Sequence, residues 1–342
     1  MNSYAPANAF KPIRSMRHSL GDDPMSTMIE ATGLKRTYKA RGKDIEAVRG
    51  IDLSVAAGEI VGFLGPNGAG KTTTLKMLCT LLAPTDGSAT VAGSDLRRDP
   101  VGVRREIGYV SQAGSTSSEA IVGDEIISHA QLYGIDRRMA TARGNDLLAA
   151  LDLSEVWSRK CGSLSGGQRR RLDIVMGLIH QPALVFLDEP STGLDPQSRA
   201  NLWTHIRSLR DTLGTTVFLT THYMDEADSL SDRILIIDHG TIVAEGTPAE
   251  LKKRVSGDAI TLTLRHEADA RRAAEIAGAL TGADTPQVEA HVVRLHVPDG
   301  GRALPVLLAD LTKAGIDAIG VDVNRPTLDD VFLTLTGRSL RD

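Results

Sequence analysis

Apolar and polar residues alternate weakly over residues 29–38 and cleanly over residues 51–55, the two-residue period of a strand with one wet face. Such strands are expected at the edge of a sheet. Residues 59–64 (EIVGFL) then form a nearly unbroken apolar run, which stops at a glycine-rich loop and gives way to a helical pattern, TTTLKMLCTLL. The order is strand, loop, helix. Similar short runs recur at 107–110, at 183–187 (ALVFL), at 216–220 (TVFLT) and at 233–238 (RILIID). Runs of this kind, separated by helical segments, predict a mostly parallel sheet covered by helices.

Residues 122–160 carry helical spacing and almost no strand pattern, which predicts a helical insert within the α/β core. After about Leu251 the texture changes. Strands are predicted at 259–264, 292–297 and 319–323, and helices at 270–280, 304–314 and 328–335. Together they predict a separate small α+β domain over residues 258–342. Residues 1–27 mix Pro, Asn, Ser, Arg and Asp in no period; a disordered lead is expected, with Met25 or Met28 as alternative starts.

The 41% hydrophobic and 24% charged residues are the balance of a globular protein, and the net charge of -4 argues against a broad nucleic-acid-binding surface. Cys79 and Cys161 are too few for a disulfide framework and their spacing suits no zinc site, so buried, reduced thiols are expected. No apolar stretch approaches the roughly 18–20 residues of a membrane span, and residues 1–27 lack the apolar core of a secretory signal. The expectation is a soluble, cytosolic chain that needs a partner for any membrane role.

The loop after the 59–64 run reads Gly65, Pro66, Asn67, Gly68, Ala69, Gly70, Lys71, Thr72 and Thr73, the spacing G-x-x-x-x-G-K-[ST] between a strand and a helix. Its glycines let backbone N–H groups turn inward around phosphates, Lys71 can reach the β- and γ-phosphates of ATP, and the Thr72 hydroxyl can hold Mg2+. Asp188 closes the ALVFL run, within reach of a Mg2+ shell, and Glu189 follows where it could accept a proton from an attacking water. Gln112, after the 107–110 run, could touch both metal and water, though a loop glutamine is ordinarily just solvated. His222 could bond the γ-phosphate, and Tyr38 could stack on adenine. On the residues alone, a structural histidine and an ordinary strand aromatic remain open. Leu164, Ser165, Gly166, Gly167 and Gln168 (LSGGQ) make a second anion-binding helix start, with Ser165 as N-cap. One nucleotide has one γ-phosphate, so two such cradles in one chain require an explanation.

In this order the motifs resemble the ATP-binding cassette (ABC) ATPase family over roughly residues 29–251. Tyr38 matches the adenine-stacking aromatic, Gly65 to Thr72 the Walker A loop, and Gln112 the Q-loop. Leu164 to Gln168 match the signature, Leu184 to Glu189 the Walker B strand with its catalytic glutamate, Asp195 the D-loop and His222 the switch histidine. The resemblance implies an α/β P-loop NTPase over residues 28–252: a mostly parallel sheet core with antiparallel edge strands and a helical subdomain at about 113–180. It also implies Thr72, Gln112 and Asp188 around Mg2+, and a homodimer of ATPase subunits (or a pairing with a similar subunit). Two cassettes would face head to tail, so that Ser165 and Gly167 bind the nucleotide held by the facing copy and Asp195 couples the two sites.

RRRLDI after the signature, THYMDEAD around His222 and the ending TLDDVFLTLTG resemble the drug-exporter branch typified by daunorubicin-resistance ATPases. That likeness implies efflux of a drug-like or lipid-like cargo through a separate membrane permease, with the ATPase on the inner face of the cell membrane. The alternative, a non-transport ABC ATPase on ribosomes or nucleic acid, fits less well: the chain has one cassette, no long coiled coil and net acidity. Arg169 to Arg171 suggest either an anionic lipid contact or a solvated helix start with one arginine near a phosphate.

Overall fold

The computed structural model describes residues 27–40, 42–255 and 257–337. The lead expected over residues 1–27 lies outside them, apart from Thr27, which opens the first strand. β1 (Thr27–Ala40) and β2 (Lys43–Ala56) are a long antiparallel pair, and β3 (Ile60–Leu64), buried at every residue, runs into α1 (Lys71–Leu78). β4 (Asp86–Val91) and β5 (Ser94–Asp95) return antiparallel, giving a four-stranded sheet of order β2-β1-β4-β5. β1 is thus flanked on both sides, not at an edge as expected: its second partner, DGSATV, is too polar to read as a strand.

α2 (Pro100–Glu106) and β6 (Ile107–Val110) precede the helical insert, which contains α3 (Val122–Leu132), α4 (Arg137–Ala150) and α5 (Gly166–Leu178). Then come β7 (Leu184–Asp188), α6 (Pro196–Leu213), β8 (Thr216–Thr221), α7 (Met224–Leu230), β9 (Arg233–Asp238) and β10 (Thr241–Gly246). The second sheet has the order β10-β9-β3-β8-β7-β6. Its β9-β3, β3-β8, β8-β7 and β7-β6 pairings are all parallel. β3, β7 and β8 are fully buried, as strands covered on both faces must be. Phe218 sits 5.5 Å from Phe63 and 5.7 Å from Phe186 in tilted contacts that lock the three strands together. The register sets Leu64 beside Thr221 and Asp188 beside Thr220, so the strands end level.

The chain divides into two compact units after Glu245. The second holds α8 (Pro248–Lys253), β11 (Asp258–Leu264), α9 (Ala270–Gly278), β12 (Gln287–Glu289), β13 (Val292–Val297), α10 (Gly300–Lys313), β14 (Ala318–Asn324) and α11 (Leu328–Thr336). Its antiparallel sheet, β12-β13-β11-β14, packs Ile260, Leu262 and Leu295 against Ala273 and Leu307. Residues 246–252, grouped above with the nucleotide-binding part, belong here: the Thr247–Glu250 capping box starts α8, which packs on α11 with Leu251 buried. Cys79 and Cys161 are buried and unbridged. Among the described residues no helix is long and apolar enough to cross a membrane.

Candidate functional site

Four neighbouring parallel strands, β3, β8, β7 and β6, deliver their following loops to one edge of the sheet, the carboxyl edge at which α/β folds bind ligands. After β3 the chain must turn tightly. A Cβ on Gly65 would lie 2.3 Å from the Ile237 carbonyl oxygen, and one on Gly70, at φ 110°, would lie 2.6 Å from that of Ala47. Only glycine fits at both. Thr74 N donates to the Gly70 carbonyl at 2.9 Å, but among the described residues no hydrogen bond takes up the amides of Gly68, Gly70, Lys71, Thr72 or Thr73, the donors that a helix start offers to an anion.

Lys71 is 4% exposed. Its Nζ donates to the carbonyls of Gly65 (2.7 Å) and Pro66 (3.1 Å) and lies 3.5 Å from Glu189 Oε1. Burial holds its ammonium below the ordinary lysine range, an effect opposed by Glu189 and Asp188. Thr72 Oγ1 and Thr220 Oγ1 both donate to Asp188 Oδ1, at 3.1 and 2.7 Å. A hydroxyl beside a buried carboxylate, open to a phosphate cradle, is a set of hard oxygen donors that fits Mg2+.

Glu189 is 7% exposed and adopts φ 45°, the left-handed region that costs a non-glycine residue about 1–3 kcal/mol. Its N–H is held by both the carbonyl (3.1 Å) and Oγ1 (3.0 Å) of Thr220. This twist turns the carboxylate away from the strand line. Glu189 Oε2 accepts from Gln112 Nε2 at 3.0 Å and Thr192 Oγ1 at 3.2 Å, with His222 Nδ1 3.2 Å away. Lys71, Thr72, Gln112, Asp188, Glu189 and His222 therefore form one connected network.

The other sequence-derived positions stand outside it. Tyr38 is 38% exposed on β1 and carries the Arg36 guanidinium 4.8 Å from its ring centre. Asp195 caps α6, accepting from Ser198 N at 2.9 Å and Ser198 Oγ at 2.6 Å. Ser165 caps α5 in a capping box with Gln168, at 3.2 and 3.0 Å. Ser165 and Gly166 are exposed, whereas the Leu164 side chain is buried in the core.

Three site-building residues escaped the sequence reading: Thr192, Thr220 and Arg170. Thr220 was visible only as a hydroxyl at a strand end. Arg170 corrects the reading of the basic triplet as a solvated helix start: it is 6% exposed and spent on backbone carbonyls, while Arg169 Nη2 donates to the Cys161 carbonyl at 3.0 Å.

Glu226 of α7 is fully buried, with Oε1 accepting from Trp203 Nε1 at 3.0 Å. Burial pushes its carboxyl above the usual 4.5, against the lowering pull of the neighbouring Thr221 and Ser191 hydroxyls and of Trp203. The folded chain then keeps a proton that the unfolded chain releases, so this contribution is full below about pH 4.5 and is lost as pH rises through the folded pKa. Glu226→Gln keeps an acceptor for Trp203 and removes that loss. Its melting temperature should match wild type near about pH 4 and exceed it near about pH 8. A variant less stable than wild type at both values would refute this.

The chain matches the family profile described as ABC transporter over residues 48–192, and that of the ATP-binding protein DrrA1-3-like, C-terminal domain, over residues 246–336. It is 42% identical over 315 residues to the daunorubicin resistance ATP-binding protein DrrA3 of Streptomyces coeruleorubidus, covering 92% of this chain and 98% of that one. It is 34% identical over 319 residues to the linearmycin resistance ATP-binding protein LnrL of Bacillus subtilis, covering 92% of this chain and all of that one. Among solved structures, the dimeric MJ0796, described as a bacterial ABC transporter cassette, superposes with a TM-score of 0.59 at 25% identity, covering 64% of this chain and 98% of that one.

Proposed function

This chain belongs to the ABC transporter ATP-binding family, and on that premise we propose that it is the ATPase subunit of a drug exporter whose permease is a separate membrane protein. It is a nucleotide-binding ATPase with a DrrA-type C-terminal domain. The observation that carries the reading is the meeting of Lys71, Asp188, Glu189, Gln112 and His222 at the shared carboxyl edge of β3, β6, β7 and β8.

In this reading the loop amides and Lys71 bind the β- and γ-phosphates; a phosphate offers the ammonium a stronger acceptor than two neutral carbonyls. Thr72, Asp188 and Gln112 would hold a Mg2+ ion, which neutralises phosphate charge. Glu189 takes the proton of the attacking water, with Gln112 and Thr192 fixing the carboxylate and His222 orienting the water at the γ-phosphate. Tyr38 lies along the adenine.

Two cradles per chain support a head-to-tail homodimer, in which the exposed Ser165–Gly166 start of α5 meets the nucleotide of the other copy, next to Asp195. ATP closes this pair and hydrolysis reopens it. The chain works at the inner face of the membrane, held there by the permease, with residues 28–245 as the engine and residues 246–336 as an accessory part. The cargo is drug-like or lipid-like; the relatives' names point to daunorubicin in one case and linearmycin in another.

Inverted vesicles containing this chain and a candidate permease co-expressed with it should accumulate an anthracycline on adding ATP. Uptake should fall to the level of vesicles lacking the chain when Glu189→Gln is substituted. ATP-dependent uptake that persists in that variant would sink the exporter reading.

A further inference from the structure

α5 begins at the Leu164–Gln168 segment, and its first turns hold the loop that carries Gln112. Arg170 donates from Nη1 to the Ser111 carbonyl at 2.6 Å, from Nη2 to that of Asp188 at 3.0 Å and from Nε to that of Pro190 at 2.8 Å. Its planar fork suits three fixed acceptors, and the last two bracket the strained Glu189. One turn further on, Asp173, 4% exposed, accepts from Ser115 N at 3.1 Å and from Ser115 Oγ at 3.5 Å.

These two side chains therefore grip both ends of the segment 111–115. Between them the chain closes a tight turn: Gly114 N donates to the Ser111 carbonyl at 3.3 Å, and Ser111 Oγ donates back to the Gly114 carbonyl at 3.1 Å. Gly114 sits at φ 76°, and a Cβ there would come within 2.9 Å of Asp173 Oδ2. Gln112 is the residue strung across the turn, and its amide reaches Glu189.

We propose that Arg170 and Asp173 are positioning residues that tie the signature helix to Gln112, so that nucleotide bound by the facing copy, on meeting the start of α5, sets the aim of this glutamine at Glu189. The proposal rests on the roles given above to Gln112, Glu189 and the Leu164–Gln168 segment. Neither side chain touches reacting atoms; both act through the loop and, for Arg170, through the backbone on either side of Glu189. Charge-assisted bonds to carbonyls and amides are short and directional, so a shift of α5 carries the loop with it. A buried Arg whose three bonds all go to backbone carbonyls, and a buried Asp held by Ser115, are poorly explained as a surface charge pattern.

The test is steady-state ATPase activity of the full chain carrying Asp173→Ala, Gln112→Ala or both. Asp173→Ala should lower kcat about tenfold with KM for ATP within about twofold, since the phosphate loop is untouched. In the Gln112→Ala background it should cause no further loss, because the two act as one unit. Asp173→Asn, which keeps an oxygen for Ser115 N–H, should recover most of the rate. Gly114→Ala, which displaces the turn without altering the buried acid, should reproduce the kcat loss and its disappearance beside Gln112→Ala; it decides the matter where Asp173→Ala does not fold. An unchanged kcat, losses that multiply with Gln112→Ala, or a fall in Asp173→Asn equal to that in Asp173→Ala would overturn the clasp. Glu189→Gln measured alongside separates the two readings. Normal turnover there overturns the functional assignment, whereas normal turnover in Asp173→Ala overturns only the clasp.

Discussion

Glu189→Gln should lower kcat for ATP hydrolysis by about 10²–10⁴-fold, the range expected for loss of a general base, while ATP stays bound at least as tightly as in the wild type. Glutamine fills the same volume, so Gln112, Thr192 and His222 keep a partner of the same size in the same place. What it lacks is a carboxylate to receive the proton. It also frees Lys71 from the anion 3.5 Å away, leaving the ammonium more fully to the phosphates. ATP that binds and is not hydrolysed should accumulate the closed pair, visible as a dimer in size-exclusion chromatography run with ATP and absent with ADP. Phosphate release and nucleotide affinity measured on the same preparation separate chemistry from binding. Turnover at the wild-type rate would remove Glu189 from the role of base.

The phosphate loop, Gln112, Asp188–Glu189 and His222 were legible because each sits at a strand end and the strands are apolar enough to read. Ile60–Leu64 and Leu184–Asp188 are buried on both faces, so their boundaries show as abrupt changes from apolar to Gly or Asp. The antiparallel sheet was half hidden: β4 reads DGSATV, because it exposes alternate residues and packs only Ala89 and Val91 inward. α8 was placed with the wrong unit because a six-residue helix after β10 carries no period that says which core its Leu251 enters.

Within the site, the sequence announces identities and withholds geometry. No pattern marks Glu189 as a residue at φ 45°, held by the paired strand through Thr220. Nor could Arg170 be told from its neighbours Arg169 and Arg171. One helix position decides which arginine faces the strand ends, and α5 is buried on nearly every side from Leu172 onward, so it lacks the clean stripe that fixes a helix's rotation. The connections that make the site a unit are pairings across elements far apart in sequence, such as Thr72 with Asp188 and Gln112 with Glu189. Local periodicity does not carry such information.

Lys71→Ala should weaken ATP binding by about 10²–10³-fold, which corresponds to about 3–4 kcal/mol. A buried ammonium that already sheds its water in the free protein has little left to lose when phosphate arrives, so most of its charge-assisted bonding goes to affinity. The same substitution leaves Glu189, 7% exposed, without its ion-pair partner. Stripping one member from a buried pair costs about 3–5 kcal/mol, and the remaining bonds from Gln112 and Thr192 place this case near the low end. The variant should therefore melt below the wild type even without nucleotide. The combination Lys71→Ala with Glu189→Gln separates the two effects. Removing the orphaned charge should restore most of the lost melting temperature, because no uncompensated buried anion remains, but it should restore none of the ATP affinity. Affinity within about threefold of wild type in Lys71→Ala would show that the loop amides alone hold the phosphates. A double variant no more stable than Lys71→Ala would show that the Lys71–Glu189 contact contributes nothing to the fold.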